Sequence, residues 1–408
     1  MEGKIQLVKI PDEEYSRYRY EVIFQAYKWD PQVEDANTVS EYVALLDEEE
    51  VRNLAGLAEQ LAEETMAMEE EMLNKLSYAK ELGLPAVMVR AMKRAAGYRR
   101  KEHVRLMRFD FHPTDQGWMI SEVNSDVPGG FAESSILPVI AGRYVDSAGP
   151  AEDFGGHLFR AFEKRMEPGG AIGLVHATSY ADDRQVMQFV GDYFTGRGYD
   201  ALYLAPDHVR FRDRKAYSIL ENSPRPLQGI IRFFPLEWMP DLPFMSKWQD
   251  YYDTLTPSCN HPAAMLTQSK SLPLIWDRLD ARHETWKSLL PETKAVTALD
   301  YGDPEYIYKP VFGRVGGGIT IKEAMPEKEF KAIRKEAARR KKEWIVQRRF
   351  QSIPVTAGDG ASYHLCIGAF VVDGVFAGFY GRISPHARID EKAKDIPILV
   401  QQKVQMGE

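Results

Sequence analysis

Cysteine is nearly absent. Cys259 and Cys366 are the only two in 408 residues, and they form neither a CxxC pair nor the His/Cys spacing of a zinc site. That excludes a disulfide scaffold, and each thiol reads as a small apolar side chain. No apolar run reaches the length of a membrane span. The start, MEGKIQLVKIPDEEYSRYRYEV, carries charges where a signal peptide needs an apolar core, so a cytoplasmic protein with no membrane partner is expected. There is no long basic block and no regular basic–aromatic interleaving. With a formal net charge of −8, this argues against a nucleic-acid partner but leaves nucleotide-sized anions open. Repeats and low-complexity tracts are also missing. What is present is a composition 44% apolar, enough at this length to bury more than one core, in two or three domains or one large composite fold.

The stretch from Arg108 to Gly130, RFDFHPTDQGWMISEVNSDVPGG, predicts a β-hairpin and a glycine-ended loop. RFDF and WMISEVN alternate in side-chain character, and DQG supplies a turn between them. A period of two puts Arg108 and Asp110 on one face, with Phe109 and Phe111 opposite. It likewise puts Glu122, Asn124 and, by extension, Asp126 on one face of the second strand. Two carboxylates and an amide oxygen on neighbouring strands are the hard oxygen ligands that Mg²⁺ takes together with substrate phosphates. The same pattern also fits a salt-bridged, solvated sheet face.

Around this hairpin the chain divides by its periodicities. Residues 5–45 show no clear period. Asp47 caps a predicted helix with Glu50 at its third position, and Val51, Leu54, Leu57, Leu61, Thr65, Met68, Met72 and Leu76 follow as a core stripe that should stop near Gly83. AVMVRAMKRAAG is a short second helix. GGFAESSILPVIAGRY opens a helix whose free amide hydrogens favour an anion. After a helix in EDFGGHLFRAFEKRMEPGG come strand, helix, strand, strand, from AIGLVHATSY to LQGIIRFF, the rhythm of a small α/β domain with a parallel sheet. His176, at the end of its first strand, reads as structural or substrate-side. Arg232 lies inside the apolar run IIRFF and needs an anionic partner, either a structural carboxylate or a substrate in a cleft.

Residues 238–263 read as a proline-punctuated connector, and 265–280 as a loop and helix with Lys270 at its amino-terminal edge. YIYKPVFGRVGGGITIKE then combines a short strand ending in Lys309 with a glycine turn that lets backbone amides approach phosphate. It lacks the ending of a Walker loop, and by itself reads more simply as an ordinary hairpin. EKEFKAIRKEAARRKKE is a solvated helix, WIVQRRF a strand, and HLCIGAFVV–DG–VFAGFYGRIS an antiparallel hairpin. HARIDEKAKDIPILV offers no evident chemistry.

Taken together, RFDF…EVNSDVPGG, SKSLPLIW, YIYKPVFGRVGGG, WIVQRRF and VVDGVFAGFYGR, in this order, resemble the synthetase part of the glutathionylspermidine synthase family, which are circularly permuted ATP-grasp ligases. YRYEVIFQAYKWDP and the long amino-terminal helix extend the likeness to most of the chain. The resemblance implies an α/β, circularly permuted ATP-grasp fold with an inserted small α/β domain. Residues 1–150 would hold the helical part and the metal hairpin, 151–255 the small substrate-side domain, and 256–408 the nucleotide-binding part.

Carried over by motif, the resemblance implies Mg²⁺ ligation by Asp110, Glu122 and Asn124, and Arg108 beside the reacting phosphate. It implies Lys270 and Lys309 on ATP, with Lys309 also neutralising the transferring phosphoryl group. Gln347 borders the adenine, Gly313 and Gly316, Gly317 and Gly318 belong to the phosphate loop, and Ser125, Asp126 and Arg232 lie on the substrate side. The partners are a small or short-peptide carboxylate and an amine. Three departures stand out. Val315 to Gly318 replace the family's more acidic loop, Arg348 follows Gln347 where an acid is usual, and the two cysteines fit no amidase site. Two other readings share the nucleotide site: a kinase-like enzyme, and a silent nucleotide-binding protein.

Overall fold

The computed structural model describes residues 4–242, 247–297, 303, 305–313 and 325–401. Its centre is an antiparallel sheet ordered Lys394–Asp395, Val375–Ser384, Ser362–Val372, Leu106–Thr114, Gly117–Asn124, so strands near either end of the sequence share one body. The predicted hairpin is its edge pair, with Arg108 opposite Asn124 and Asp110 opposite Glu122. The register slips between Asp110 and Phe111, leaving Ser121 as the extra residue of a bulge that strict alternation does not anticipate. The second hairpin turns at Asp373 (φ 51°) and Gly374 (φ 87°), two left-handed residues whose twist matches that of the flanking strands.

The sheet has two unlike faces, and a helix explains why. Glu48–Asn74 starts where expected, the Asp47 carboxylate accepting from the Glu50 amide at 2.6 Å. Its stripe of Leu54, Leu61, Met68 and Met72 packs in one core with Phe109, Phe111, Ile367, Ala369 and Val371. Arg108, Asp110 and His112 alternate with these phenylalanines and so project from the opposite face. The helix ends at Asn74 rather than near Gly83, and a separate turn, Ser77–Glu81, follows. Asn74 turns its side-chain amide onto the Glu70 carbonyl, a local competitor of helix continuation.

Beside the central sheet stands the expected parallel one, ordered Ser258–Cys259, Gly229–Phe233, Ala171–His176, Asp200–Leu204. Helices Phe154–Glu163 and Ala181–Thr195 cover it through Phe159, Phe162, Phe189 and Phe194. The supposed connector therefore contributes a strand, Ser258–Cys259. A third, antiparallel sheet of Thr293–Ala295, Trp344–Arg348 and Tyr306–Pro310 packs under the solvated helix Glu327–Arg339. Finally, Ile5–Lys9 pairs with Tyr42–Leu46, which in turn pairs with Ile398–Gln401, giving the amino-terminal region a sheet that its sequence did not signal. Among the described residues no helix is long and apolar enough to cross a membrane.

Candidate active site

The polar face of the central sheet is the floor of a cavity of about 750 Å³. One row across four strands reads Glu122, Asp110, Gly368, Tyr380, and a second reads Cys366, Arg382, Asp395. Arg108 lies over the first row. Its Nε and Nη2 donate to the two oxygens of Asp110 at 2.7 and 3.0 Å, and its Nη1 donates to the Gly129 carbonyl at 2.6 Å. The Tyr380 ring lies 4.8 Å from the guanidinium carbon. Burial opposes this charge, and the Asp110 carboxylate outweighs it, holding the guanidinium's pKa above its ordinary value. Asn124 donates its amide to Asp110 Oδ2 at 3.0 Å.

Both predicted nucleotide lysines arrive at this floor, from separate segments. Lys270 follows a single helical turn, Met265–Gln268, and precedes short 3₁₀ turns instead of opening a longer helix. Its ammonium lies 3.0 Å from Glu122 Oε2 and donates to the Gly313 carbonyl at 2.6 Å. Lys309, on Tyr306–Pro310, donates to the Ser121 carbonyl at 2.9 Å, an acceptor that the bulge releases from the strand ladder. Burial lowers the Lys309 pKa to about 8, with Glu122 pulling it upward and Lys270 downward. Burial raises Glu122, but Lys270 and Lys309 outweigh it and hold the carboxyl below its usual value. His112, within 3.0 Å of the Ser121 hydroxyl, is pushed down to about 4 by burial and by the Lys309 charge, so it is neutral at physiological pH.

Behind the lysines a second, smaller pocket of about 30 Å³ is walled by Val123, Leu272, Pro273, Trp286 and Leu290, and shares Ser121, Glu122 and Lys309 with the large cavity. Gln347 lines it. Its amide nitrogen donates to Thr293 at 3.0 Å, while its oxygen is buried without a hydrogen-bond partner among the described residues. Two acids in register, two converging lysines and an apolar side pocket thus meet in one place. In sequence, residues 10–401 match the glutathionylspermidine synthase preATP-grasp family. The chain belongs to that family.

Membership makes this a synthetase-like ligase, and the mixed α/β fold agrees with it. A glutathione synthetase-like effector from Globodera pallida is similar in structure, with a TM-score of 0.60 and 11% identity over 88% of this chain and 89% of that one. A putative gamma-glutamylcysteine synthetase from Methylobacillus flagellatus aligns with a TM-score of 0.45 and 11% identity, over 82% and 86% of the two chains. No curated protein sequence matches.

The structure brings Arg108, Asp110, Glu122, Asn124, Lys270, Lys309, Gly313 and Gln347 to one place; Gly316, Gly317 and Gly318 lie outside the described residues. It does not bring Ser125, Asp126 and Arg232 to the cavity. Asp126 and Arg232 form a buried ion pair, with side chains 0% and 1% exposed, and Arg232 also donates to the Phe234 carbonyl at 2.6 Å. The Ser125 and Asp126 amides donate to Gln268 Oε1 at 2.7 and 2.8 Å, and the Ser125 hydroxyl meets Arg105, Thr267 and, through Arg105, Glu69. Period two does not extend past Asn124, where the strand ends, so Asp126 turns into the joint between the two sheets. His176 is buried, its Nδ1 3.0 Å from the Leu174 carbonyl.

Sequence reasoning missed the far end of the cavity. There Lys28 bridges Asp395 at 2.7 Å and Glu133 at 3.1 Å, and Tyr380 donates to Asp395 at 2.7 Å. Arg382 and Tyr380 alternate along VFAGFYGRIS, and that period-two polarity was the available signal. Lys28 and Asp395 carried none, since only long-range pairing, such as that of residues 38–40 with Asp395, brings their segments together. Among the described residues no group of three or more His, Cys, Asp or Glu is placed to hold a metal ion.

Proposed function

We propose that the protein is an ATP- and Mg²⁺-dependent ligase that joins a carboxylate to an amine through an acylphosphate. One observation carries this reading: Asp110 and Glu122 stand opposite each other in register, and Lys270 and Lys309 converge on them from two other segments. Carboxylates are poor acceptors for amines, and phosphorylation supplies a leaving group. Negative charge builds on the phosphoryl oxygens during transfer, and Arg108, Lys270 and Lys309 are the cations positioned to meet it.

Asp110, Glu122 and Asn124 fit Mg²⁺ in donor type, since reversing the Asn124 amide offers its oxygen beside two carboxylates. When bound, the ion supplies charge neutralisation at the phosphates. The unpaired Gln347 oxygen suits the exocyclic amine of adenine, and the apolar walls of the small pocket suit its ring. At about 30 Å³ that pocket holds only a water or two, so purine binding requires it to widen. The large cavity's far end, with Asp30, Glu133, Asp182, Asp183, Glu391 and Asp395 against Lys28, Arg382 and Arg388, has an excess of carboxylates suited to a cationic amine.

The test is a screen of short peptides and amines for ADP release. The reading requires release that depends on both a carboxylate and an amine. A phosphorylated product that persists without amine favours a kinase, and nucleotide binding with no turnover under any pair favours a silent binding protein.

A further inference from the structure

We propose that Asp110 and Glu122 are held shut by the chain's own cations, and that a divalent cation and a polyphosphate enter this site by exchange of partners. The inference rests on the ligase reading only in taking these two acids as the cation's ligands.

Asp110 already accepts three hydrogen bonds, two from Arg108 and one from Asn124, and a carboxylate offers about four lone-pair positions. Glu122 is paired with Lys270 at 3.0 Å. Each carboxylate is paired with one cation, and Lys309 adds a third positive charge beside them, so the closed site has no uncompensated negative charge to draw in a metal. A divalent cation between the acids must take lone pairs that Arg108 holds and displace the ammonium of Lys270. Each released cation then has a new partner in the phosphate oxygens, and the charges are paired again. Without a polyphosphate, both cations stay beside the incoming ion and oppose it. Arg108 and Lys270 are thus antagonists of the metal in the empty site and allies of the nucleotide in the filled one.

The floor is shaped to admit the closed arrangement. Position 368, directly opposite Asp110, is glycine, and a Cβ there would lie 2.7 Å from Arg108 Cδ and 2.9 Å from its Nε. Gly130 likewise leaves room for Tyr380, whose ring a Cβ at 130 would meet at 2.8 Å. Lys270 is held by the Gly313 carbonyl as well as by Glu122, so one of its contacts survives the loss of the other.

The experiment is a Mn²⁺ titration of the whole chain without nucleotide, read from the free-ion electron paramagnetic resonance signal, with circular dichroism as the folding control. Arg108→Gln and Lys270→Gln should each bind Mn²⁺ at least about fivefold more tightly than the unsubstituted protein. Arg108→Lys, which keeps the charge but not the two-pronged contact, should fall between. Because the two cations lie on separate segments, loss of folding in one variant leaves the other informative. Unchanged or weaker Mn²⁺ binding in the folded variants overturns the exchange. If binding is lost in Asp110→Asn but not gained in Arg108→Gln, the exchange alone fails. If binding persists when Asp110 and Glu122 are both neutralised, the metal assignment of the ligase reading fails with it.

Discussion

The ammonium of Lys309 donates to the carbonyl of Ser121, the extra residue of a β-bulge, at 2.9 Å. That contact ties the small sheet of Thr293–Ala295, Trp344–Arg348 and Tyr306–Pro310 to the hairpin carrying Asp110 and Glu122. It also keeps a buried cation beside a neutral acceptor.

Replacing this cation should be felt in nucleotide affinity. Lys309→Ala is expected to weaken ATP binding by roughly tenfold or more, the loss of one charge-assisted hydrogen bond, as measured by calorimetry. An unchanged dissociation constant removes Lys309 from the site.

The same residue predicts a pH dependence. With its pKa lowered to about 8 by burial, Lys309 in the free protein loses its charge as pH rises through 8. ATP affinity should therefore fall above that pH, while phosphate at the site favours the protonated form. Lys309→Arg, which stays charged, should flatten the profile in titrations between pH 7 and 10.

Asp110→Asn and Glu122→Gln should each reduce metal-dependent ADP formation by about 10²-fold or more while the protein stays folded. An undiminished rate at saturating Mg²⁺ rejects the metal assignment.

These residues were legible because they obey local rules. Arg108, Asp110, Glu122 and Asn124 follow the two-residue period of a hairpin, and the helix over Phe109 and Phe111 announces itself through its cap and stripe. Lys270 and Lys309 were placed by resemblance, and nothing local distinguishes them from surface lysines. The wall made by residues 28–38 and 386–395 was illegible because it is irregular chain fixed by distant partners, such as Glu34 with Lys392 at 2.7 Å. Ser125, Asp126 and Arg232 show the converse. Their residue types suit a substrate, yet the end of the strand turns Ser125 and Asp126 inward, and Asp126 meets Arg232 of the parallel sheet at the joint.

The Asp126–Arg232 pair makes a stability prediction. Asp126→Ala strands a buried guanidinium and should cost about 3–5 kcal/mol, seen as a lower denaturant midpoint. A midpoint unchanged by that substitution contradicts the structural role.

Buried histidines set the response to acid. Burial pushes His103 down to about 4 and His261 well below its ordinary value; their rings, 4.7 Å apart, pack with Tyr98. Between about pH 6.5 and 4 the unfolded chain binds protons there that the folded one does not, so stability is full above this window and falls as pH drops through it. A folded His103→Gln variant should lose about one proton of that slope in urea unfolding. An unaltered slope means that His103 is protonated in place.

Activation of a carboxylate as an acylphosphate leaves an isotopic trace. With the acid and amine found by the ADP-release screen, the acid is labelled with ¹⁸O in its carboxylate and the released phosphate is analysed by mass spectrometry. The account predicts one carboxylate oxygen in the phosphate for each amide formed. Unlabelled phosphate accompanying amide formation would contradict it.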